Sequence, residues 1–379
     1  MRWIAGSFLW AMMICLSMSY VAQGQSENSA EHAKRQFIES VNRDLDRLSS
    51  ELQGKEKGHM SFGANLVFAH GAFIKGFPAE ALLKYVDALK ESGAHRIEIN
   101  PAIDPWVDGD AATIRKYDAL VEHIHRSGLQ LAINPEFVRK EDRAFDFKTW
   151  AASALQVYSE ISRRYRPDIF VVVHEPAIMA ARMGQEVAPG QWSKFADSAI
   201  RSVKESSPST KCGVGVLFNE GAYLDQFLLL KGLDTVSVDI YSISDLSAYD
   251  SLISAAKKKG KTVYIEETWR PAYVEDNSGP KEKLETSASQ GVGDHDFMKV
   301  DIKWLETMSL YSSVRGLESI TPFWTQTFFL YVKQGDSDGR GTAYNSRVVA
   351  AIERGERTDT FHAFERLTGV FAGPPRRPE

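Results

Sequence analysis

An α/β fold of the (β/α)8 kind is predicted by three features of this chain. Apolar strand-like runs alternate with helical runs about eight times, no strand is left over, and no Gly-x-Gly-x-x-Gly turn follows the first strand. A doubly wound open sheet alternates in the same way, but it usually stops near six strands and carries such a phosphate turn. The chain has 379 residues, room for one barrel of about 250 residues or more and an extension.

Met1-Arg2-Trp3 leads into an apolar stretch from Ile4 to about Val21, and Ala22-Gln23-Gly24 places small residues where a signal peptidase reads. Residues 1–24 are therefore expected to be a secretory signal, cleaved after Gly24, that delivers a secreted or periplasmic protein. An uncleaved anchor needs about 20 apolar residues, and Ser7, Ser17 and Ser19 interrupt this stretch. No stable membrane insertion is expected after cleavage. Cys15 lacks the small residue expected before a lipidated cysteine. Cys212 is then the single cysteine of the mature chain, so its core must hold it without an intramolecular disulfide.

Residues 25–58 form the extension. Phe37, Val41, Leu45, Leu48 and Leu52 recur at helical spacing between Glu31 and Gln53, and Gly54 to Gly58 reads as a connector. Residues 59–379 form the barrel. Its first pair is a strand from Met60 to Phe68 and a helix from Ala79 to Ser92, stopped by Gly93. Ile97 to Asn100 pairs with Thr113 to Arg126, and Leu129 to Ile133 with Phe147 to Tyr165. Ile169 to Val173 pairs with Trp192 to Glu205, Gly213 to Phe218 with Ala222 to Leu230, and Thr235 to Ile240 with Tyr249 to Lys259. Thr262 to Ile265 with Val300 to Tyr311, and Leu317 to Phe323 with Val348 to Arg354, complete the TIM barrel. Long loops at Trp269 to Phe297 and Gln326 to Asn345 are expected to shape its active face.

Composition excludes some partners. With 43% hydrophobic and 25% charged residues the chain is an ordinary globular protein rather than a disordered one. The net charge is −5 and Lys and Arg are scattered, which leaves no basic face for nucleic acid.

Two glutamates stand where apolar strands run out: Glu175 in Val-Val-Val-His174-Glu175-Pro176 and Glu267 in Val-Tyr-Ile-Glu266-Glu267-Thr268-Trp269. The C-terminal ends of barrel strands converge on one pocket, and two facing carboxylates there are the minimum for retaining glycoside hydrolysis. By the strand count they end the fourth and seventh strands.

This pattern resembles the clan A retaining glycoside hydrolases, the 4/7 superfamily. The resemblance implies that Glu175 is the acid/base and Glu267 the nucleophile. Glu267-Thr268-Trp269-Arg270-Pro271 is similar to a segment of the endo-β-1,4-galactanases of that clan. Tyr241 matches the clan tyrosine that hydrogen-bonds the nucleophile, and Trp324 the tryptophan that floors the innermost sugar site. Two positions depart from the pattern. His174 replaces an asparagine whose amide binds the sugar 2-hydroxyl, and Arg96 lies at the wrong end of the second strand to be the clan arginine. An imidazole can also donate one hydrogen bond and accept another.

The chemistry supports the same roles. A retaining site needs one protonated and one ionised carboxyl. The three valines before Glu175 suggest an apolar setting that favours its neutral form, and a hydrogen bond from Tyr241 would favour the Glu267 anion. Strict alternation lets only one of Glu266 and Glu267 face the lumen, the other making a helix-facing salt bridge. Glu267 is chosen here partly on the motif.

Trp106, Trp269 and Trp324 are candidates for stacking on sugar rings, whereas Trp150, Trp192 and Trp304 lie on helical stretches and belong to the core. Asn100, Asn134 and Asp239 stand near strand ends and are candidate hydroxyl binders. His59, His70, His123 and His362 carry no spacing signal and are expected at the surface or as caps, and Asp336 to Gly341 reads as a turn rather than a calcium loop. No cofactor or metal is expected, and the partner is a carbohydrate. Two other classes compete. One is a metal-dependent barrel such as a sugar isomerase, with Glu98, Glu175, Asp239 and Glu267 converging on a cation beside His174. The other is a carbohydrate-binding barrel without turnover.

Overall fold

The computed structural model describes residues 31–71, 73–136, 146–271, 293–332 and 341–372. The expected signal segment, residues 336–340 of the Asp336 to Gly341 turn and much of both long loops lie outside them. Eight parallel strands close into one barrel in sequence order. They are β1 (Ser61–Asn65), β2 (Arg96–Ile99), β3 (Gln130–Ile133), β4 (Ile169–His174), β5 (Lys211–Val216), β6 (Thr235–Ile240), β7 (Thr262–Thr268) and β8 (Ser319–Pro322). β1 pairs with both β2 and β8, which removes every sheet edge. The (β/α)8 fold expected from the alternation is the one observed.

Several elements have sharper limits than periodicity supplies. β1 ends at Asn65 because Val67–Ala69 winds into a 3-10 turn. The helix Ala111–Arg126 starts two residues early, since Asp110 caps it by accepting from Thr113 N at 3.1 Å. Asp146 caps Phe147–Tyr165 in the same way, at 2.8 Å from Thr149 N. Three helices were not anticipated: Asp104–Val107, Pro176–Arg182 and Asp359–Phe371. The last buries Phe361, Phe364 and Phe371 and sets Phe364 edge-on to Phe62 of β1 at 5.4 Å. Its signal was the spacing of those phenylalanines, which continues past the eight counted pairs.

A helix over 31–52 lies against the barrel. Val41, Leu45, Leu48 and Leu52 join the main core, and Phe37 meets Phe297 at 6.2 Å. Lys34 is 2.8 Å from Asp294 and 2.5 Å from Asp296, which ties the helix to the approach of Met298–Arg315.

Inside the barrel, Tyr264 packs with Ala132, Ile169 and Val171. The Arg96 guanidinium sits over the Tyr264 ring at 4.7 Å and donates to Ser319 Oγ at 2.7 Å, which plugs the lower lumen. Arg96 is thus a lumen residue below the mouth.

The two strands that carry the glutamates are also the two that bulge. Along β4 and β5, Val171 faces Gly213 while Val173 faces Val214, so β4 holds one extra residue. Along β6 and β7, Val238 faces Ile265 and Asp239 faces Glu267, so β7 holds one extra residue at Glu266. A bulge reverses the inward and outward parity beyond it. Val171 belongs to the lumen cluster, Val172 and Val173 both pack in the main core, and His174 turns inward again.

Candidate active site

Beyond β4 the chain reverses sharply. Glu175 has φ 44° and ψ 61°, a left-handed conformation unusual for a residue with a Cβ and costing about 1–2 kcal/mol. Its N–H donates to Gly215 O at 3.1 Å and its carbonyl accepts from Met179 N at 2.9 Å, and Pro176 opens the next helix. This strained turn holds the carboxyl at the barrel mouth, as strain at functional sites often does.

At the end of β7 both glutamates are buried, Glu266 fully and Glu267 with 7% exposure. Glu266 shares the lumen face of Tyr264 two residues earlier and accepts from Ser237 Oγ. Glu267 is carried inward by the bulge and accepts from Tyr241 Oη at 2.6 Å. The expected alternation is thereby corrected. Among the described residues neither glutamate makes a helix-facing salt bridge, because the extra residue lets consecutive side chains turn toward the pocket.

His174 completes the centre. Its Nε2 is 2.8 Å from Asp239 Oδ2 and 3.8 Å from Glu266 Oε2. Burial opposes a charge on this ring, but Asp239 and Glu266 outweigh it and hold the imidazole pKa well above its usual value. Glu98 is fully buried, and burial and the charge of Glu266 push its carboxyl well above the usual range. Burial also raises Glu267 well above that range, helped by the charges of Asp239 and Glu175. His174 and the Tyr241 hydrogen bond pull the other way.

That balance corrects one sequence-based expectation: the hydrogen bond from Tyr241 favours the Glu267 anion but does not outweigh burial. Val171 packs in the lumen and Val172 and Val173 in the main core, and half-buried Glu175 acts electrostatically on His174, Glu136, Glu220, Asp239 and Glu267.

The tryptophans divide. Trp324 is half-buried beyond β8 and meets Phe323 edge-on at 4.7 Å, while Phe323 reaches Tyr241 at 6.3 Å and His70 at 5.4 Å. Phe323 and Trp324 therefore form an aromatic wall beside Glu267. Trp269 does not join it: the side chain is 1% exposed and packed in the core. The Glu267 to Pro271 segment is largely a fastening. Thr268 Oγ1 donates to Ile240 O at 2.8 Å and accepts from Trp304 Nε1 at 3.0 Å, and Arg270 Nε donates to buried Asp301 at 2.7 Å. Trp106 is half-buried and packs on Tyr117 and Tyr165 of the outer helices, at 5.4 and 6.3 Å. Trp150, Trp192 and Trp304 are buried as expected.

Asn100 and Asn134 are both 2% exposed at strand ends, and Asn100 Oδ1 and Asn134 Nδ2 have no partner among the described residues. Sequence reasoning missed Asn65, fully buried at the end of β1 with both amide atoms unpartnered among the described residues. It also missed Glu136, beyond β3, and placed His70 at the surface. His70 is 3% exposed, its Nδ1 lies 3.7 Å from Glu136 Oε1, and burial followed by the charge of His174 lowers its pKa to about 3, so it is a neutral imidazole. Its signal was position alone: it follows a strand end, as Asn65 closes one.

No family model matches the chain, and no curated protein does either. Solved structures do. The exo-beta-1,4-mannosidase Op5Man5 from Opitutaceae bacterium strain TAV5 matches with a TM-score of 0.56 at 10% identity, over 84% of this chain and 62% of that one. A glucosidase from Croceicoccus marinus matches with a TM-score of 0.51 at 14% identity, over 84% of this chain and 69% of that one. At such identities the likeness is one of fold, and the fold is the barrel described above.

Proposed function

We propose that this chain is a glycoside hydrolase that cleaves a β-glycosidic bond in a polysaccharide or oligosaccharide with retention of configuration. The observation that carries this reading is the Tyr241 hydroxyl at 2.6 Å from Glu267, in a mouth where Glu175 stands on a strained turn three strands away and its charge helps to raise the Glu267 carboxyl. The clan A resemblance of the two strand-end glutamates supports it, as does the fold shared with a mannosidase and a glucosidase.

In this mechanism Glu175 gives its proton to the leaving oxygen while the Glu267 carboxylate attacks the anomeric carbon, forming a covalent glycosyl-enzyme. Glu175, now ionised, takes a proton from water, which attacks the same carbon and frees Glu267. The Tyr241 hydrogen bond and the His174 charge are the interactions that favour the Glu267 anion this requires. Phe323 and Trp324 give apolar faces to a sugar ring, and His174, Asn100, Asn134 and Asp239 offer polar groups to its hydroxyls. Residues 1–24 as a secretory signal would place this activity in the periplasm or outside the cell, and a mature N-terminus at Gln25 checks that part.

The test is hydrolysis of a β-glycan panel with the first-formed anomer followed by proton NMR. Retention is expected, with Glu175→Gln sparing aryl glycosides that have good leaving groups and losing about 10²–10⁴-fold on natural ones. Inversion, or equal losses on both substrate types, would overturn the assignment. Binding without turnover would make the chain a carbohydrate-binding barrel.

A further inference from the structure

The centre of the pocket holds more acid than the proposed hydrolysis uses. Asp239 and Glu266 are fully buried, and with His174 they offer one nitrogen and two carboxylate oxygens that lie within 4.8 Å of one another. Two ligands of one transition metal ion, each about 2.0–2.2 Å from it, can stand up to about 4.4 Å apart. The pairs at 2.8 and 3.8 Å from His174 Nε2 already satisfy that limit.

Neighbouring groups bear on the same place. Glu98 is fully buried against Glu266, and two carboxyl groups in contact hold together only through a shared proton or a cation. Both amide atoms of Asn65, which faces Glu98 across the β1–β2 ladder, lack a hydrogen-bond partner among the described residues. Gly215 makes room for the convergence: a Cβ there would fall 2.4 Å from His174 Cδ2, 2.9 Å from Glu266 Oε2 and 3.0 Å from Ser237 Oγ. Buried polar atoms left without partners are costly, and more so when charged.

We propose that His174, Asp239 and Glu266 bind a divalent cation in the barrel lumen, beneath the catalytic carboxylates. The mixed nitrogen and oxygen set suits a borderline ion such as Zn²⁺ or Mn²⁺ better than Ca²⁺, which takes oxygen ligands, or Cu⁺, which prefers sulfur. Glu98 and Asn65 stand beside the three ligands as further oxygen donors. Such an ion would brace β4, β6 and β7 against one another at the level of the bulges. An ion there would replace the Nε2 proton of His174, so its own charge would take over the part the imidazolium plays toward Glu267; the readout of the proposal is binding rather than turnover.

The test uses the full mature chain stripped with a chelator, dialysed, and titrated with Zn²⁺ and separately Mn²⁺ by calorimetry, with metal content measured after gel filtration. One ion per chain and a higher thermal midpoint on addition are expected. Asp239→Asn and Glu266→Gln should each weaken binding tenfold or more. Because both replaced side chains are fully buried, His174→Gln, whose side chain is 15% exposed, serves as the second variant and should show the same loss. No binding to the wild-type chain, or unchanged stoichiometry and affinity in folded His174→Gln, would overturn the proposal. Failure here leaves the hydrolysis test untouched, and failure of hydrolysis leaves this one.

Discussion

At the N-terminal end of the barrel, Asp168 accepts from Leu131 N at 2.8 Å and Asp234 accepts from Cys212 N at 2.8 Å while pairing with Lys204 at 2.7 Å. Lys261 and Lys257 donate to Leu233 O and Gly316 O, each at 2.7 Å. Each of these contacts stitches one strand or connection to the next. At the C-terminal end, Asn65, Asn100, Asn134 and Asp239 carry buried polar atoms with no hydrogen-bond partner among the described residues. The N-terminal end leaves such atoms too, at Arg96, Thr235 and Glu318, but fewer of them, so its polar groups serve mainly to fasten strands, whereas those of the other end stand where this architecture places its active site. The difference can be tested from both sides.

The largest effect is expected from Glu267→Gln, which should lower turnover by roughly 10⁴-fold without lowering the thermal midpoint. A loss of activity that merely tracked unfolding would erase the contrast between the two ends. Trp269→Ala should cost about 3–5 kcal/mol in denaturant titrations, because the ring is core; a near-neutral change with a raised KM would put it back in the pocket.

Buried carboxyls above the barrel mouth make stability depend on pH. Glu220 is pushed up to about 7 and Asp301 to about 6, each first by burial, from ordinary values of 4.5 and 3.8. The folded state thus binds protons that the unfolded chain has released. Their contribution to stability is full below about pH 4 and is lost as pH rises through 6 to 7. Thermal midpoints should therefore rise as pH falls from 8 to 5, and Glu220→Gln should flatten that slope. A midpoint that fell over this interval would show that other groups dominate.

At the opposite end, Asp234→Ala should cost about 1–3 kcal/mol, since it leaves Cys212 N–H and Lys204 unpaired, with kcat unchanged. Smallest of all, Trp324→Ala should raise KM by an amount worth about 1 kcal/mol, with stability little altered.

The alternation of apolar runs and helices, the two strand-end glutamates and the apolar stripe from Phe37 to Leu52 were legible in the sequence because each depends on local periodicity. The barrel follows from repetition of that local pattern. What the sequence left open were matters of parity and partnership. That Glu266 and Glu267 both face inward turns on one extra residue in β7, and a bulge is defined only against the neighbouring strands. Trp269 reads as a strand-end aromatic, yet it is buried, and only packing distinguishes that from Trp324 at the rim. His174 reads as a replaced asparagine, but its charge comes from Asp239 and Glu266, which lie 65 and 92 residues further along the chain. Contacts at that separation exist only after the barrel closes, so the electrostatics of the pocket belong to the tertiary structure, while the positions of its carboxylates along their strands belong to the sequence.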